Sequence, residues 1–211
     1  MTRTALLARF REHWVAGALP LVVEHRSDTC ETLCASPSLW MGGRALVEEL
    51  AARGCGSGEP LGFDLPLGVR FVQGLVAGLR RGCPVDLRPL ARAGARHSLT
   101  ATAIEAHAEA VGVGADTAWI GPDGSCLTRA DLDGLVPAAV EQWSLTQGLR
   151  VRIGSLGDDA RSSAARLLAP LWAGCELHLL MDPTANQTAV YRDAPPELEL
   201  GVAGEAAAGS S

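Results

Sequence analysis

Two stretches of this 211-residue chain carry the same plan, and that repetition limits the fold more than any other feature. In the first, a helical pattern over 44–53 leads through Gly58 to an apolar segment at 61–63. A second helical pattern over 69–81 follows, and then Gly82-Cys83-Pro84-Val85-Asp86-Leu87. In the second, a helical pattern over 129–143 leads through Gly148 to a strand pattern at 149–153. A helix over 158–173 follows, and then Gly174-Cys175-Glu176-Leu177-His178-Leu179. Gly58 and Gly148 stand 90 positions apart, and Gly82 and Gly174 stand 92 apart. Each unit reads as strand, covering helix and next strand, the makings of a right-handed crossover in a parallel sheet. The glycine ending each helix permits the positive φ with which a last turn reverses. The expected fold is α/β, with two similar strand-helix-strand lobes packed together. Any α/β protein repeats strand-helix-strand, so chance architecture stands beside true duplication as a reading.

The rest of the chain fits around this frame. An N-terminal helix occupies 1–20, a first α/β lobe 21–115, a second 116–196, and a disordered tail 197–211. Leu6, Leu7, Phe10 and Trp14 stand at helical spacing. Leu21-Val22-Val23 reads as a short buried strand, and 27–42, with Pro37 and several small polar residues, as a loop. The alanine-rich stretch 88–114 reads as one helix with flanking loops. Thr117 to Ile120 reads as a strand before the turn Gly121-Pro122-Asp123-Gly124. Thr128, with Asp131 three positions on, is a helix N-cap, and Asp158 or Asp159 caps the helix at 160.

Charge and hydropathy remove whole classes of partner. The net charge is −6, and arginine is interspersed among the acids, so no basic stripe marks a nucleic-acid surface. The longest early apolar run, Trp14 to Val23, is about half a membrane span. With neither signal peptide nor transmembrane helix legible, the protein is expected in the cytoplasm, its six cysteines reduced. Cys55, Cys83, Cys126 and Cys175 read as isolated, buried small hydrophobes.

Residues 45–87, with Gly54, Gly58-Glu59, Leu65-Pro66, Gly82 and Val85 in order, resemble the opening module of the adenylate-forming superfamily (acyl-CoA synthetases, peptide-synthetase adenylation domains, luciferases). Residues 118–183 resemble the part of that fold after its phosphate loop. Leu127-Thr128-Arg129-Ala130-Asp131-Leu132 echoes its helix start, and Leu168 to Leu177 its later helix-strand turn. The likeness covers roughly residues 20–183 and implies the N-terminal subdomains of acyl-CoA synthetases, as a truncated, degenerate member.

The departures from the family decide what is expected of the chemistry. The family's loop of serine, threonine, glycine and lysine holds triphosphate through backbone N–H groups and one lysine charge. Between the strand ending at Ile120 and Leu127 stand only Gly121-Pro122-Asp123-Gly124-Ser125-Cys126. They include an acid and a proline without a donor, and all 18 basic residues of the sequence are arginines. The later nucleotide-binding motifs and the lysine-bearing C-terminal domain are also missing from the sequence. ATP-dependent adenylation by this chain alone is therefore not expected, and no cofactor is assigned.

Other constellations carry less. His25, Cys30 and Cys34, with His13 upstream, are a possible zinc set, but Cys-x3-Cys spacing equally suits loop cysteines. Ser98, His97, His107 and Asp116 offer nucleophile-base combinations, though no nucleophile elbow occurs. His97 and His107, on the alanine-rich stretch, are expected to face solvent. Trp40 and Met41 are expected to be exposed and to touch a partner.

The resulting expectation is a non-catalytic, adenylate-forming-like protein that binds or scaffolds within an assembly or biosynthetic pathway. The alternative is an ATP-independent binder of acyl-CoA or acyl carrier protein, or part of an acyl-activating enzyme completed by another chain. Uncovered sheet edge and apolar surface would call for a protein partner or a homodimer. Neither nucleic acid nor membrane is expected as a partner.

Overall fold

The computed structural model describes residues 5–15, 22–26, 30–34, 36–89, 95, 97–107, 113–180 and 198–200. Its elements are α1 (Ala5–Val15), β1 (Val22–Arg26), β2 (Cys30–Cys34), α2 (Ser36–Ala52), β3 (Leu61–Asp64), α3 (Val69–Arg81) and β4 (Val85–Asp86). They continue with β5 (His97–Thr100), β6 (Ile104–Ala106), β7 (Thr117–Ile120), β8 (Cys126–Thr128), α4 (Arg129–Gln142), β9 (Arg150–Ile153), α5 (Ala160–Ala173), β10 (Glu176–Leu180) and β11 (Leu198–Leu200). Among the described residues no helix is long and apolar enough to cross a membrane.

The strands form two sheets, ordered β11-β9-β10-β1-β2 and β6-β5-β3-β4-β7-β8. In each, four neighbouring strands run parallel and a hairpin partner lies antiparallel at one side: β2 on β1, and β8 on β7. The duplication therefore extends to both hairpins. One unit is β1-β2-α2-β3-α3-β4-β5, and the other is β7-β8-α4-β9-α5-β10-β11. Each unit gives its leading hairpin to the other's sheet. Sheet membership thus crosses the lobe boundary expected at 115/116, because β1 and β2 lie with β9 to β11, and β7 and β8 with β3 to β5.

The repeat is exact enough to be followed bond by bond. Gly58 N–H donates to Gly82 O at 2.9 Å, and Gly148 N–H to Gly174 O at 2.9 Å. Cys55 N–H donates to Leu50 O and Leu145 N–H to Val140 O, each at 2.9 Å. Buried thiols repeat as well: Cys83 Sγ donates to Gly56 O and Cys175 Sγ to Thr146 O, each at 3.4 Å. Gly82 and Gly174 end their helices with φ of 76° in both cases, the left-handed reversal that favours glycine. Offsets of 90 and 92 read from the glycines thus hold for backbone and side chains alike.

Apolar spacing dictates what each helix buries. Phe71, Val72, Leu75 and Val76 of α3 line one buried stripe, and Ala164, Leu167, Leu168 and Leu171 of α5 another. Both stripes enter one core with Trp119 of β7 and Val22 of β1. Trp119 is fully buried, and its indole N–H donates to Ser163 Oγ of α5 at 2.9 Å, tying a strand of one sheet to the helix that connects β9 and β10 of the other. A smaller core joins Leu46 and Leu50 of α2 to Leu61, Leu99 and Ile104.

Three expectations need correction. Residues 27–42 are not all loop, because Cys30–Cys34 pairs antiparallel with β1 and α2 begins at Ser36. Pro37 is the second residue of α2. A proline is accommodated in a helix's first turn, where its missing N–H has no partner to lose. Residues 88–114 are not a single helix, since His97–Thr100 and Ile104–Ala106 form an antiparallel pair beside β3. Sheet pairing overrides the helical propensity of alanine there. Within the tail, Leu198–Leu200 forms the strand that pairs with β9.

Candidate functional site

In parallel α/β sheets, ligands gather where strands end at their carboxyl side and helices begin, because helix N-termini present free N–H groups and positive potential. The two helices that begin there are α3 and α5. In each, the first N–H of the helix is bonded to the chain itself. Glu24, buried on β1, accepts from Val69 N–H at 2.8 Å and so caps α3, whose N-cap Gly68 contributes no side chain. On α5, Asp159 Oδ1 accepts from Ser162 N–H at 2.8 Å, and Ser125 Oγ accepts from Ala160 N–H at 2.8 Å. The Ser162 amide bond holds the Asp159 carboxyl below the ordinary carboxylate range.

The turn between β7 and β8 is the segment that stands where the resemblance puts a phosphate loop. Its donors are all engaged: Gly121 N–H bonds Ser125 O, Asp123 N–H bonds Asp158 O, and Gly124 N–H bonds Gly121 O. Ser125 N–H and Oγ both donate to Asp123 Oδ1, at 2.9 and 2.6 Å. Pro122 has no N–H to offer. Gly121 sits so close to α5 that a Cβ there would lie 2.2 Å from Ala160 N. Beside this turn, Asp86 is fully buried and forms a two-pronged ion pair with Arg88, at 2.6 and 2.9 Å. That pairing raises the arginine's pKa. The arrangement is a closed, self-satisfied turn.

The sequence-predicted caps fall in place. Thr128 Oγ1 accepts from Asp131 N–H at 3.1 Å while the Asp131 carboxylate accepts from Thr128 N–H at 2.8 Å, a reciprocal capping box on α4. The Thr128 hydroxyl, which donates to the Asp131 carboxylate at 2.7 Å, and after it the Thr128 N–H hold Asp131 below its ordinary range.

The candidate site residues scatter. β1 and β2 pair His25 with Glu31, Cys30 with Arg26 and Cys34 with Val22. The side chains of His25, Cys30 and Cys34, and of His13, lie outside the described part of the structure. Trp40 is on α2, not in a loop, half-buried, with the Arg80 guanidinium 4.3 Å above its ring. Met41 beside it is 59% exposed. Ser98 Oγ does meet His107 Nε2 at 2.8 Å, but Ser98 is fully buried and so shielded from any substrate.

One group escaped the sequence reading. Cys55, Glu59 and His97 bring their ligating atoms within 4.8 Å of one another. Cys83 Sγ lies 3.7 Å from Cys55 Sγ. His97 does not face solvent but is 3% exposed at the start of β5. The hydrogen bond between the thiols lowers the pKa of Cys55, and the same bond, with burial, raises that of Cys83. The one available signal was positional: Cys55 and Cys83 each follow a helix-ending glycine, Gly54 and Gly82.

No protein-family model matches the chain, and no curated protein matches it in sequence. Solved structures do. A benzoate CoA ligase from Burkholderia xenovorans LB400 superposes with a TM-score of 0.67 at 16% identity, over 92% of this chain and 49% of that one. The fatty acyl-adenylate ligase of L. pneumophila gives a TM-score of 0.68 at 11% identity, over 85% of this chain and 40% of that one. MatB from Rhodopseudomonas palustris gives 0.61 at 16% identity, over 86% of this chain and 46% of that one. The chain spans about half the length of these structures or less. Its fold is that of the N-terminal domain of the adenylate-forming acyl-CoA ligases.

Proposed function

We propose that this protein is a non-catalytic version of the adenylate-forming fold that serves as a binding or scaffolding partner in a cytoplasmic assembly or biosynthetic pathway. A fold persists where its chemistry has been lost, since function lives in the site and not in the framework. The observation that carries the reading is the β7–β8 turn. Its N–H groups at Gly121, Asp123, Gly124 and Ser125 all bond within the chain, and its only charged side chain is Asp123. A triphosphate brought there would meet the Asp123 carboxylate, with the turn's own N–H groups already bonded, which is repulsive at contact distance. ATP–pyrophosphate exchange with a panel of aliphatic and aromatic carboxylic acids tests this. The reading expects no exchange above background, and exchange dependent on one of the acids would overturn it.

A second reading has the coverage behind it. The ligases that share the fold are about twice as long as this chain or longer, and on this reading the chain is one part of an acyl-activating enzyme completed by another polypeptide. An ATP-independent site for an acyl-CoA or an acyl carrier protein belongs to the same reading. Both readings call for association through a homodimer or a heteromeric complex. Sedimentation at micromolar concentration tests it, and a stable monomer that also fails to capture a partner would contradict it.

A further inference from the structure

We infer that Cys55, Glu59 and His97 form a zinc site at the amino-terminal ends of the first unit's strands, independent of the proposed function, and that Cys83, whose sulfur adjoins that of Cys55 but stands outside the 4.8 Å group, closes in as fourth ligand when the metal binds. Two thiolates, an imidazole and a carboxylate are a zinc donor set. A tetrahedron with zinc–sulfur bonds of about 2.3 Å has a sulfur–sulfur edge of about 3.8 Å. The Cys55 and Cys83 sulfurs are 3.7 Å apart, far beyond a disulfide bond of about 2.05 Å.

The histidine supplies an independent observation. His97 Nε2 lies 3.2 Å from Arg53 O, and a carbonyl oxygen only accepts, so Nε2 carries the hydrogen. The neutral ring then presents Nδ1 as a bare lone pair, and that buried atom has no hydrogen-bond partner. A ring nitrogen fixed by a backbone carbonyl, with its sibling left unprotonated, is the form in which histidine binds metal. Glu59 is held similarly, with Oε2 accepting from Gly56 N–H at 2.8 Å. Arg81 donates to Cys55 O and brings a positive charge close to a site that would carry net negative charge with zinc bound.

The second unit shows that the fold does not demand these side chains. The matched hydrogen bonds and strand registers place Leu145 where Cys55 stands, Leu149 for Glu59, Cys175 for Cys83 and Leu198 for His97. Three leucines and a cysteine fill that copy. The first copy instead buries an imidazole nitrogen without a partner, which costs free energy unless something bonds it. The three elements the metal would join are the α2–β3 turn, the α3–β4 turn and β5. All lie at the strand ends opposite the β7–β8 turn, so the role assigned is structural.

The test is cobalt(II) titration of the full chain after chelator treatment under reducing conditions, followed by zinc displacement. One equivalent of cobalt should bind with thiolate-to-cobalt charge-transfer absorption, and one equivalent of zinc should abolish it. Cys55→Ser and His97→Leu should each weaken binding at least tenfold. His97→Leu carries the second copy's residue at that position and so serves as the variant least prone to misfold. Cys126→Ser, at an exposed cysteine outside the cluster, and the Cys30→Ser/Cys34→Ser double variant should both bind as the parent does. Absence of the charge-transfer band in the reduced parent would overturn the site. So would its survival in Cys55→Ser, its loss in Cys30→Ser/Cys34→Ser, or a Cys55–Cys83 disulfide that forms in place of metal binding.

Discussion

The two units share a backbone and differ in what they place at its two ends. At the amino-terminal strand ends the first holds Cys55, Glu59, Cys83 and His97, while the second holds Leu145, Leu149, Cys175 and Leu198 in the same places. At the carboxyl ends, the strand register sets Glu24 of β1 against Gly121 at the end of β7. Glu24 reaches across to cap α3, whereas Gly121 lies against α5 with no room for a side chain and leaves capping to Ser125 and Asp159. The lesson is that packing fixes the frame and leaves a few positions free for chemistry. A polar residue at a position where the other copy is apolar needs its own explanation.

The comparison can be broken most forcefully at the strand that crosses between sheets. Trp119 occupies the register place that Val22 holds in the other sheet, fully buried and bonded to Ser163. Trp119→Ala should lower unfolding stability by about 3–5 kcal/mol in denaturant melts; a loss below about 1 kcal/mol would mean that the sheets do not share this core. Next in size is the zinc response. Saturation at about a thousand times Kd should stabilise the parent by about 4 kcal/mol. The chain carrying Cys55→Leu, Glu59→Leu and His97→Leu, which copies the second unit, should not respond. If it responds equally, the two strand ends do not differ as described.

Smaller effects separate the helix caps. Glu24→Ala leaves Val69 N–H without its buried acceptor and should cost about 1–3 kcal/mol. Asp159→Ala removes only one of the two acceptors on α5 and should cost about 1 kcal/mol. The smallest effect is one of pH. Asp131 and Asp159 have folded pKa values below their unfolded ones, so their stabilisation is full above the ordinary carboxylate value of about 3.9. It is lost as pH falls through the depressed folded values, and Asp131→Asn with Asp159→Asn should flatten that acid limb in thermal melts.

The sequence exposed most of this frame because glycine and apolar spacing are local signals. Gly82 and Gly174 mark helix ends that any reading can see, and Val69–Arg81 and Thr117–Ile120 emerge with their expected bounds. Partnership between distant segments was not legible. Nothing in residues 88–114 announces that His97 pairs with Leu61, and alanine argued for helix. Nor does Cys55 show in sequence that it meets Cys83, 28 residues on, because that contact depends on how α2 packs against α3. The hairpin exchange stayed hidden for the same reason, since each hairpin looks local and pairs remotely.

The most direct measurement of the central claim is calorimetric titration of the purified full chain with magnesium–ATP. A self-bonded turn carrying Asp123, in a sequence without lysine, predicts no saturable heat up to millimolar nucleotide. Saturable binding at one site per chain, lost on changing Gly121 or Ser125, would contradict the account, because it would show the turn opening to hold phosphate.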